Sequence, residues 1–282
     1  MLPVAAIAAE VAVAFSAAVA DVPLIEAVKT ANTATIRALL EQQVDVDSPE
    51  ADGATALHWA VHRSDLETVE LLIRAGASVE RENRYGVKPV LLAANDGHAA
   101  ILERLLKAGA DPNTVTPGGE SALMAAARNG TPEALSVLIA FGAAVNVREG
   151  WLGQSALMWA AAQNNAAALR VLIENGADVH ARTVPVTGAG TPGAKRSDAT
   201  HRGTGFTPFL FAVRAGHFES VRTLLYAGAN VTAVTRIGQY TPLHVASREG
   251  SSSALEALLT AGANVHALSS VGVTALHLSA LA

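Results

Sequence analysis

The sequence of 282 residues contains no cysteine, which excludes disulfide bonds, thiolate metal sites and a cysteine nucleophile and leaves the redox compartment open. Aromatic residues make up only 4% of the chain although half of it is hydrophobic, so the apolar mass is mostly Ala, Leu and Val, which suits helices packed in thin layers. Basic residues are also few: 20 Lys and Arg face 25 Asp and Glu, giving a net charge of −5. This balance argues against phosphate recognition, and we expect no nucleic-acid partner.

A short motif returns eight times at a nearly constant interval. Its clearest copy reads Thr-Pro-Leu-His-Val-Ala at residues 241–246. The second residue of each copy is Pro23, Ala56, Pro89, Ala122, Ala156, Pro208, Pro242 and Ala275, with steps of 33, 33, 33, 34, 52, 34 and 33. A parallel series of unit-ending glycines is Gly76, Gly109, Gly142, Gly176, Gly228 and Gly262. A fixed period near 33 residues predicts stacked copies of one supersecondary unit.

This motif at this period resembles the ankyrin repeat. The resemblance covers about residues 21–282 apart from one insertion. It implies an all-α ankyrin-repeat solenoid of stacked helix–turn–helix units with β-hairpin fingers, containing about seven full repeats and a partial eighth. The first repeat has Gln43 in place of the terminal glycine and is interpreted as a polar N-terminal cap. The chain stops at Ala282 part-way through a repeat, which we interpret as truncation.

Two segments depart from the repeat register. Residues 1–20 are almost entirely apolar, and Ala18-Val19-Ala20 before Asp21 is a small-x-small cleavage pattern, which predicts a signal peptide and export to the periplasm or beyond. The alternatives are a cytoplasmic protein with a covering N-terminal helix, or a membrane anchor that would place Glu10 in the bilayer. The step of 52 marks an insertion, and the Gly- and Pro-rich residues 183–202 predict a flexible loop there.

No set of residues predicts catalysis, a metal or a cofactor. Residues 188–193 match G-x-G-x-x-G, but no strand precedes them and no helix begins there, so nucleotide binding is not expected. His58, His244 and His277 share the fourth place of the motif, where a ring nitrogen is expected to tie one hairpin to the next. Equivalent histidines lie about a repeat apart, whereas a metal needs converging ligands. We therefore predict a non-catalytic protein without cofactor.

Two rows of side chains are candidates for partner binding. The first row lies at the hairpin tips and comprises Tyr85, Trp151, Leu152, Phe206 and Tyr240. The second row lies at the ends of the first helices and comprises Arg63, Arg128, Arg214 and Arg248. In ankyrin-type proteins these rows line one concave surface, and large rings on exposed turns are typical interface anchors. The rings could instead brace neighbouring hairpins, and the polar row could be a solvated face.

Three further aromatic residues, Trp59, Trp159 and Phe211, share the fifth place of the motif and are predicted to pack in the core. The resulting functional hypothesis is a monomeric, non-catalytic scaffold that holds a partner protein in its concave groove, in the manner of exported bacterial ankyrin proteins. The alternative is a regulatory ankyrin segment of a larger protein or enzyme whose remainder is missing.

Overall fold

The computed structural model describes residues 22–184 and 205–280. The predicted signal peptide at residues 1–20, and the predicted loop apart from its first two residues, lie outside the described residues. Within those ranges the chain forms two compact units, and the boundary between them lies between Thr114 and Val115. No helix in the described ranges is long and apolar enough to cross a bilayer.

The first unit contains three helix pairs, which we call repeats 1 to 3. Their helices are α1 (Val22–Lys29), α2 (Thr33–Glu41), α3 (Ala56–His62), α4 (Leu66–Arg74), α5 (Pro89–Asn95) and α6 (Ala99–Lys107). We call the connecting segments finger 2 (residues 44–55) and finger 3 (residues 77–88). The first helices α1, α3 and α5 pack side by side, and the second helices α2, α4 and α6 form an adjoining row. This is the stacked helix–turn–helix arrangement that the repeat predicts.

The second unit contains four further pairs, repeats 4 to 7, and the first helix of repeat 8. Its helices are α7 (Ala122–Asn129), α8 (Pro132–Ala140), α9 (Ala156–Ala162), α10 (Ala166–Glu174), α11 (Pro208–Arg214), α12 (Phe218–Tyr226), α13 (Pro242–Arg248), α14 (Ser252–Thr260) and α15 (Ala275–Ser279). Its fingers are finger 4 (115–121), finger 5 (143–155), finger 6 (177–207), finger 7 (229–241) and finger 8 (263–274). The first helices α7, α9, α11, α13 and α15 stack in chain order.

The repeated motif determines where each first helix begins. Its first residue takes an extended conformation and caps the helix; the Ser121 hydroxyl, for example, accepts a hydrogen bond from the Met124 N–H at 3.2 Å. The glycines that follow the second helices adopt left-handed backbone, as at Gly76 with φ of 94°. Gln43 takes the same conformation with φ of 56°, as its place in the register predicts.

Many of the buried side chains in the core are alanines of the first helices. In α7 every residue from Ala122 to Ala127 is buried, whereas α4 buries only one face, through Thr68, Val69 and Leu72. Alanine brings neighbouring backbones close, which is why so few aromatic residues suffice for these thin layers. The prediction of an all-α solenoid is confirmed.

The fingers are turns rather than extended hairpins. Strand pairing in the described residues is limited to two isolated antiparallel bridges, Val115 with Ser121 and Arg148 with Ser155. Successive fingers are instead joined to each other, because the Val184 N–H donates to the Leu152 carbonyl at 2.9 Å and the Ser270 N–H to the Gly238 carbonyl at 2.9 Å. Backbone groups that a longer hairpin would pair internally thus tie one repeat to the next.

The described ends of finger 6 meet each other despite the inserted residues between them. The Thr183 N–H donates to the Phe206 carbonyl at 2.9 Å, and the Gly205 N–H donates to the Thr183 carbonyl at 3.1 Å. The Phe206 N–H also donates to the Thr183 hydroxyl at 2.9 Å. These three bonds restore the repeat register after the insertion.

Candidate functional site

The turn that carries Trp151 is held by one buried carboxylate. Glu149 accepts hydrogen bonds from the N–H groups of Leu152 and Gln154, both at 2.9 Å, and from the Trp151 N–H. The glycine at 153 has φ of 65°, which lets the chain close the turn. Trp151 itself remains 61% exposed. Finger 5 therefore presents a large ring on a backbone whose conformation is already fixed.

A cleft of about 270 Å³ lies beside this ring. We call it the tryptophan cleft; it is lined by Thr116, Gly118 and Glu120 of finger 4, by Glu149, Trp151, Leu152 and Gln154 of finger 5, and by Trp159 of α9. The Trp159 indole N–H is buried, and no hydrogen-bond acceptor reaches it from the described part of the chain. A buried donor without a partner is rare in native proteins. Among the described residues, the wall of the cleft thus contains one buried donor that the chain itself leaves unsatisfied.

Arg128 forms the charged wall of the same region. Its guanidinium lies 5.0 Å from the centre of the Trp159 ring and 3.0 Å from the Glu120 carboxylate. The ion pair keeps both long side chains beside the cleft, and the contact with the ring is a cation–π interaction. Arg128, Trp151 and Leu152, which sequence reasoning assigned to two separate rows, are thus brought together around Trp159.

Phe206 does not lie on an exposed turn as predicted. It is only 4% exposed, and its ring packs edge-on against Phe211 at 5.4 Å between centroids. Arg214 covers both rings at 5.0 and 5.2 Å, and burial lowers the pKa of its guanidinium below the ordinary value. The predicted exposure of Phe206 was wrong, because the finger turns this ring inward onto the first helix.

The remaining predicted residues of the second unit are Tyr240 and Arg248. Tyr240 is half-buried, with its ring 5.9 Å from that of His244. Arg248 is exposed and its guanidinium lies 2.9 Å from the Glu249 carboxylate. Neither residue lines the tryptophan cleft.

The first unit presents its own predicted residues. Tyr85 is 58% exposed at the tip of finger 3; its hydroxyl accepts a hydrogen bond from Arg84 at 2.6 Å, and the same guanidinium lies 4.8 Å from the ring centre. Arg63 is exposed after the end of α3. Both residues are accessible to a partner.

The prediction of core packing holds for only one of the three motif aromatics. Phe211 is buried, whereas Trp59 and Trp159 are half-buried. A cation covers each indole, Arg128 at Trp159 and Lys29 at 4.5 Å from the Trp59 ring. The Trp59 N–H differs from that of Trp159 because it donates to Glu50 at 2.8 Å. Both indoles therefore belong partly to the surface.

The motif histidines tie successive fingers together, as predicted. The His58 Nε2 lies 3.0 Å from the Val87 carbonyl, and the His244 Nε2 lies 2.9 Å from the Val273 carbonyl. Across residues 22–184 and 205–280, no three His, Asp or Glu side chains converge as metal ligands would.

Two surface features escaped the sequence interpretation. Tyr226, on α12, is the most exposed of the large hydrophobic side chains in the described residues at 85%, and it lines an outer groove between α12 and α14. Arg148 and Arg182 line a second cleft. A signal for these two arginines exists, because each follows a unit-ending glycine, Gly142 or Gly176, by six residues.

Comparison with known proteins agrees with this architecture. The family model described as ankyrin repeats (3 copies) matches residues 14–83, 90–183 and 211–282. A search of curated protein sequences gives no match.

Two solved structures resemble the chain over most of its length. The human ASB11 ankyrin repeat domain has 25% identity and a TM-score of 0.67, covering 80% of this chain and 92% of that one. The ankyrin repeat domain of Bcl-3, described as a unique member of the IkappaB protein family, has 26% identity and a TM-score of 0.65, covering 80% and 94%. Together with the repeat geometry, these matches show that the chain belongs to the ankyrin repeat family.

Proposed function

We propose that the chain is a non-catalytic scaffold that binds a partner protein through the tryptophan cleft and the adjoining Trp151 ring. Ankyrin repeat domains generally mediate protein–protein interaction, which supports a binding role. The observation that carries the proposal is the exposed Trp151 on a turn fixed by the buried Glu149 carboxylate. Leu152 and Arg128 complete the contact surface.

The energetics favour Trp151 as the main contact. A tryptophan side chain buries about 150–250 Å² when covered, and such anchors contribute about 2 kcal/mol or more to many interfaces. Because three backbone hydrogen bonds already order the turn, docking costs little conformational entropy.

The other predicted contacts have supporting roles in this proposal. In the second unit these are Tyr240, Arg214 and Arg248, and in the first unit Tyr85 and Arg63. Arg63 and Arg248 are exposed, and exposed arginines at an interface contribute to orientation and to the association rate more than to affinity.

The test is the substitution Trp151→Ala in the full chain. We expect the variant to lose its partner in crosslinking pull-downs and to bind the purified partner about thirtyfold or more weakly. Its thermal unfolding should hardly change, because the ring is largely exposed. Titration of the purified partner and circular dichroism measure the two effects separately.

Tyr226→Ala is the matched control, since it removes another highly exposed ring in the same unit but outside the cleft. We expect it to bind the partner like the wild type. A Trp151→Ala variant that binds normally but loses several degrees of thermal stability would show that the ring braces the fingers, and the proposal would then fail.

We also propose that the mature protein is an exported monomer. The small-x-small pattern before Asp21 supports export. Mass spectrometry of the protein from its native host tests this directly: a mature N-terminus at Asp21 supports it, and a retained Met1 contradicts it. Sedimentation of the same sample reports the oligomeric state.

A further inference from the structure

Three arginines on successive fingers surround an open cleft of about 590 Å³ in the second unit. Arg148 belongs to finger 5, Arg182 to finger 6 and Arg236 to finger 7. Asp178 and His180 also line this basic cleft. Asp178 is the single acidic residue of the lining, and its carboxylate already accepts the His180 N–H at 2.9 Å. Three guanidinium groups and one carboxylate thus line this cleft, on a protein whose net charge is −5.

Two of these arginines are fixed in place by a ladder of hydrogen bonds. The Arg148 Nη1 donates to the Arg182 carbonyl at 2.8 Å. The Arg182 Nη1 in turn donates to the carbonyls of Val234 and Gly205, both at 2.8 Å. A guanidinium has five N–H donors, so at least three on each group remain for a ligand. Both guanidinium groups are thus held in position and still have N–H donors that can bind a ligand.

None of the three guanidinium groups has a carboxylate within ion-pair distance in the described residues. The ion pairs found there use other basic side chains. All three arginines are exposed. Guanidinium groups that are held in position without an ion-pair partner can recognise carboxylates or phosphates bidentately.

The spacing of the ladder favours an extended ligand. Arg148 and Arg182 each reach the backbone of the following finger, so their charged groups are about one repeat apart, or about 10 Å by the usual distance between packed helices. A single oxyanion is too small to engage both with two hydrogen bonds each. In an extended peptide of polyproline II conformation, which rises about 3.1 Å per residue with three residues per turn, side chains three positions apart lie on one face and span this distance.

We propose that the basic cleft binds an extended acidic peptide segment, with carboxylates about three residues apart paired to Arg148 and Arg182 and a further contact to Arg236. This site is separate from the tryptophan cleft, and the inference does not depend on the proposed function. Acidic peptide recognition could serve the same partner or a different one.

The probe is a fluorescent peptide of about twelve residues made of Pro and Ser with two glutamates three positions apart, so that both carboxylates lie on one face of a polyproline II helix. We expect saturable binding to the full chain at about 150 mM salt by fluorescence anisotropy, and no binding when both glutamates are glutamine. Arg182→Gln should weaken binding about tenfold or more. Arg236→Gln should weaken it several-fold. Because the Arg236 side chain makes no hydrogen bond or ion pair with the described residues, this variant tests the site even if Arg182→Gln fails to fold.

Arg170→Gln is the matched control, because Arg170 is exposed on α10 of the same unit and does not line the cleft. It removes the same charge and should change affinity less than about twofold. Equal losses in the Arg170 and Arg236 variants would reduce the effect to overall charge and overturn the proposal. So would equal binding of peptides with one and two glutamates together with displacement by micromolar inorganic phosphate, since that pattern indicates a single-oxyanion site.

Discussion

The neutral ring of His58 joins the start of α3 to finger 3. Its Nδ1 accepts the Thr55 N–H at 3.2 Å, so the proton of the neutral ring is on Nε2, which faces the Val87 carbonyl at 3.0 Å. Burial lowers the pKa of His58 below its usual 6.5; the hydrogen bond to Val87 and the carboxylates of Asp47 and Asp52 oppose this shift without overcoming it. Protonation would remove the Nδ1 acceptor.

The stability of the first unit should therefore depend on His58 in mildly acidic solution. With a folded pKa below the unfolded value of 6.5, the unfolded chain binds more protons, so the stabilisation by His58 is complete above about pH 6.5 and is lost as the pH falls toward the folded pKa. Urea unfolding from about pH 7 to about pH 5 measures this loss. His58→Gln should be less stable at neutral pH and show a shallower decline.

His62 provides the comparison for this prediction. Its side chain is 65% exposed and lies 4.0 Å from the Asp96 carboxylate. His62→Gln is the control for removing one histidine from the same helix. If it flattens the curve as much as His58→Gln does, the attribution to His58 is wrong.

At the scale of single residues the sequence predicted chemistry better than orientation. The motif histidines and the exposed Trp151 follow from their places in the register. Phe206 also lies near a turn glycine, but the register cannot tell whether a ring points outward or packs inward on Phe211. Arg148 and Arg182 were missed because their role depends on carbonyl groups of the next finger, which no local pattern reports.

Two acidic residues at the start of α4 make different kinds of interaction. Asp65 caps the helix, accepting the Thr68 N–H at 3.0 Å and the Thr68 hydroxyl at 2.6 Å. Glu67 pairs with Arg37 at 2.7 Å, but both side chains are more than half exposed. A cap satisfies a backbone donor, whereas an exposed ion pair competes with water and salt.

We expect Asp65→Ala to lower the free energy of unfolding by about 1–2 kcal/mol. Glu67→Ala should lower it by less than about 0.5 kcal/mol. Chemical denaturation of the two variants under identical conditions gives the comparison. A larger loss for Glu67→Ala would mean that surface charge, and not the cap, stabilises this helix end.

Helices and fingers differed in how well the sequence predicted them. Seven of the eight described first helices begin at the Pro or Ala in the second place of the motif, as the sequence indicates, whereas α1 begins at Val22, one residue before Pro23. The fingers were expected to be β-hairpins, yet the described ones are turns with two isolated bridges. Hydrogen bonds between successive fingers replace internal pairing, and these depend on the stacking of repeats.

Each repeat contacts mainly its neighbours, which determines how far the effect of a destabilising mutation spreads. Leu72 of α4 is fully buried, so Leu72→Ala should cost about 2–5 kcal/mol locally. Hydrogen exchange should then accelerate most in repeats 1 to 3 of the first unit. Arg74→Ala, at an exposed site in the same helix, should leave exchange nearly unchanged. A uniform acceleration along the chain after Leu72→Ala would contradict this expectation.

The closed base of finger 6 has a consequence for the tolerance of added sequence. Three hydrogen bonds join Thr183 to Gly205 and Phe206 at the base of the finger, so the two points at which an inserted sequence joins the repeat are fixed. The entropic cost of closing an inserted loop grows only logarithmically, by about 0.6 kcal/mol for each doubling of its length. Residues 185–204 could therefore be replaced, in evolution or by design, with an epitope or a reporter. The repeats on either side would keep their register.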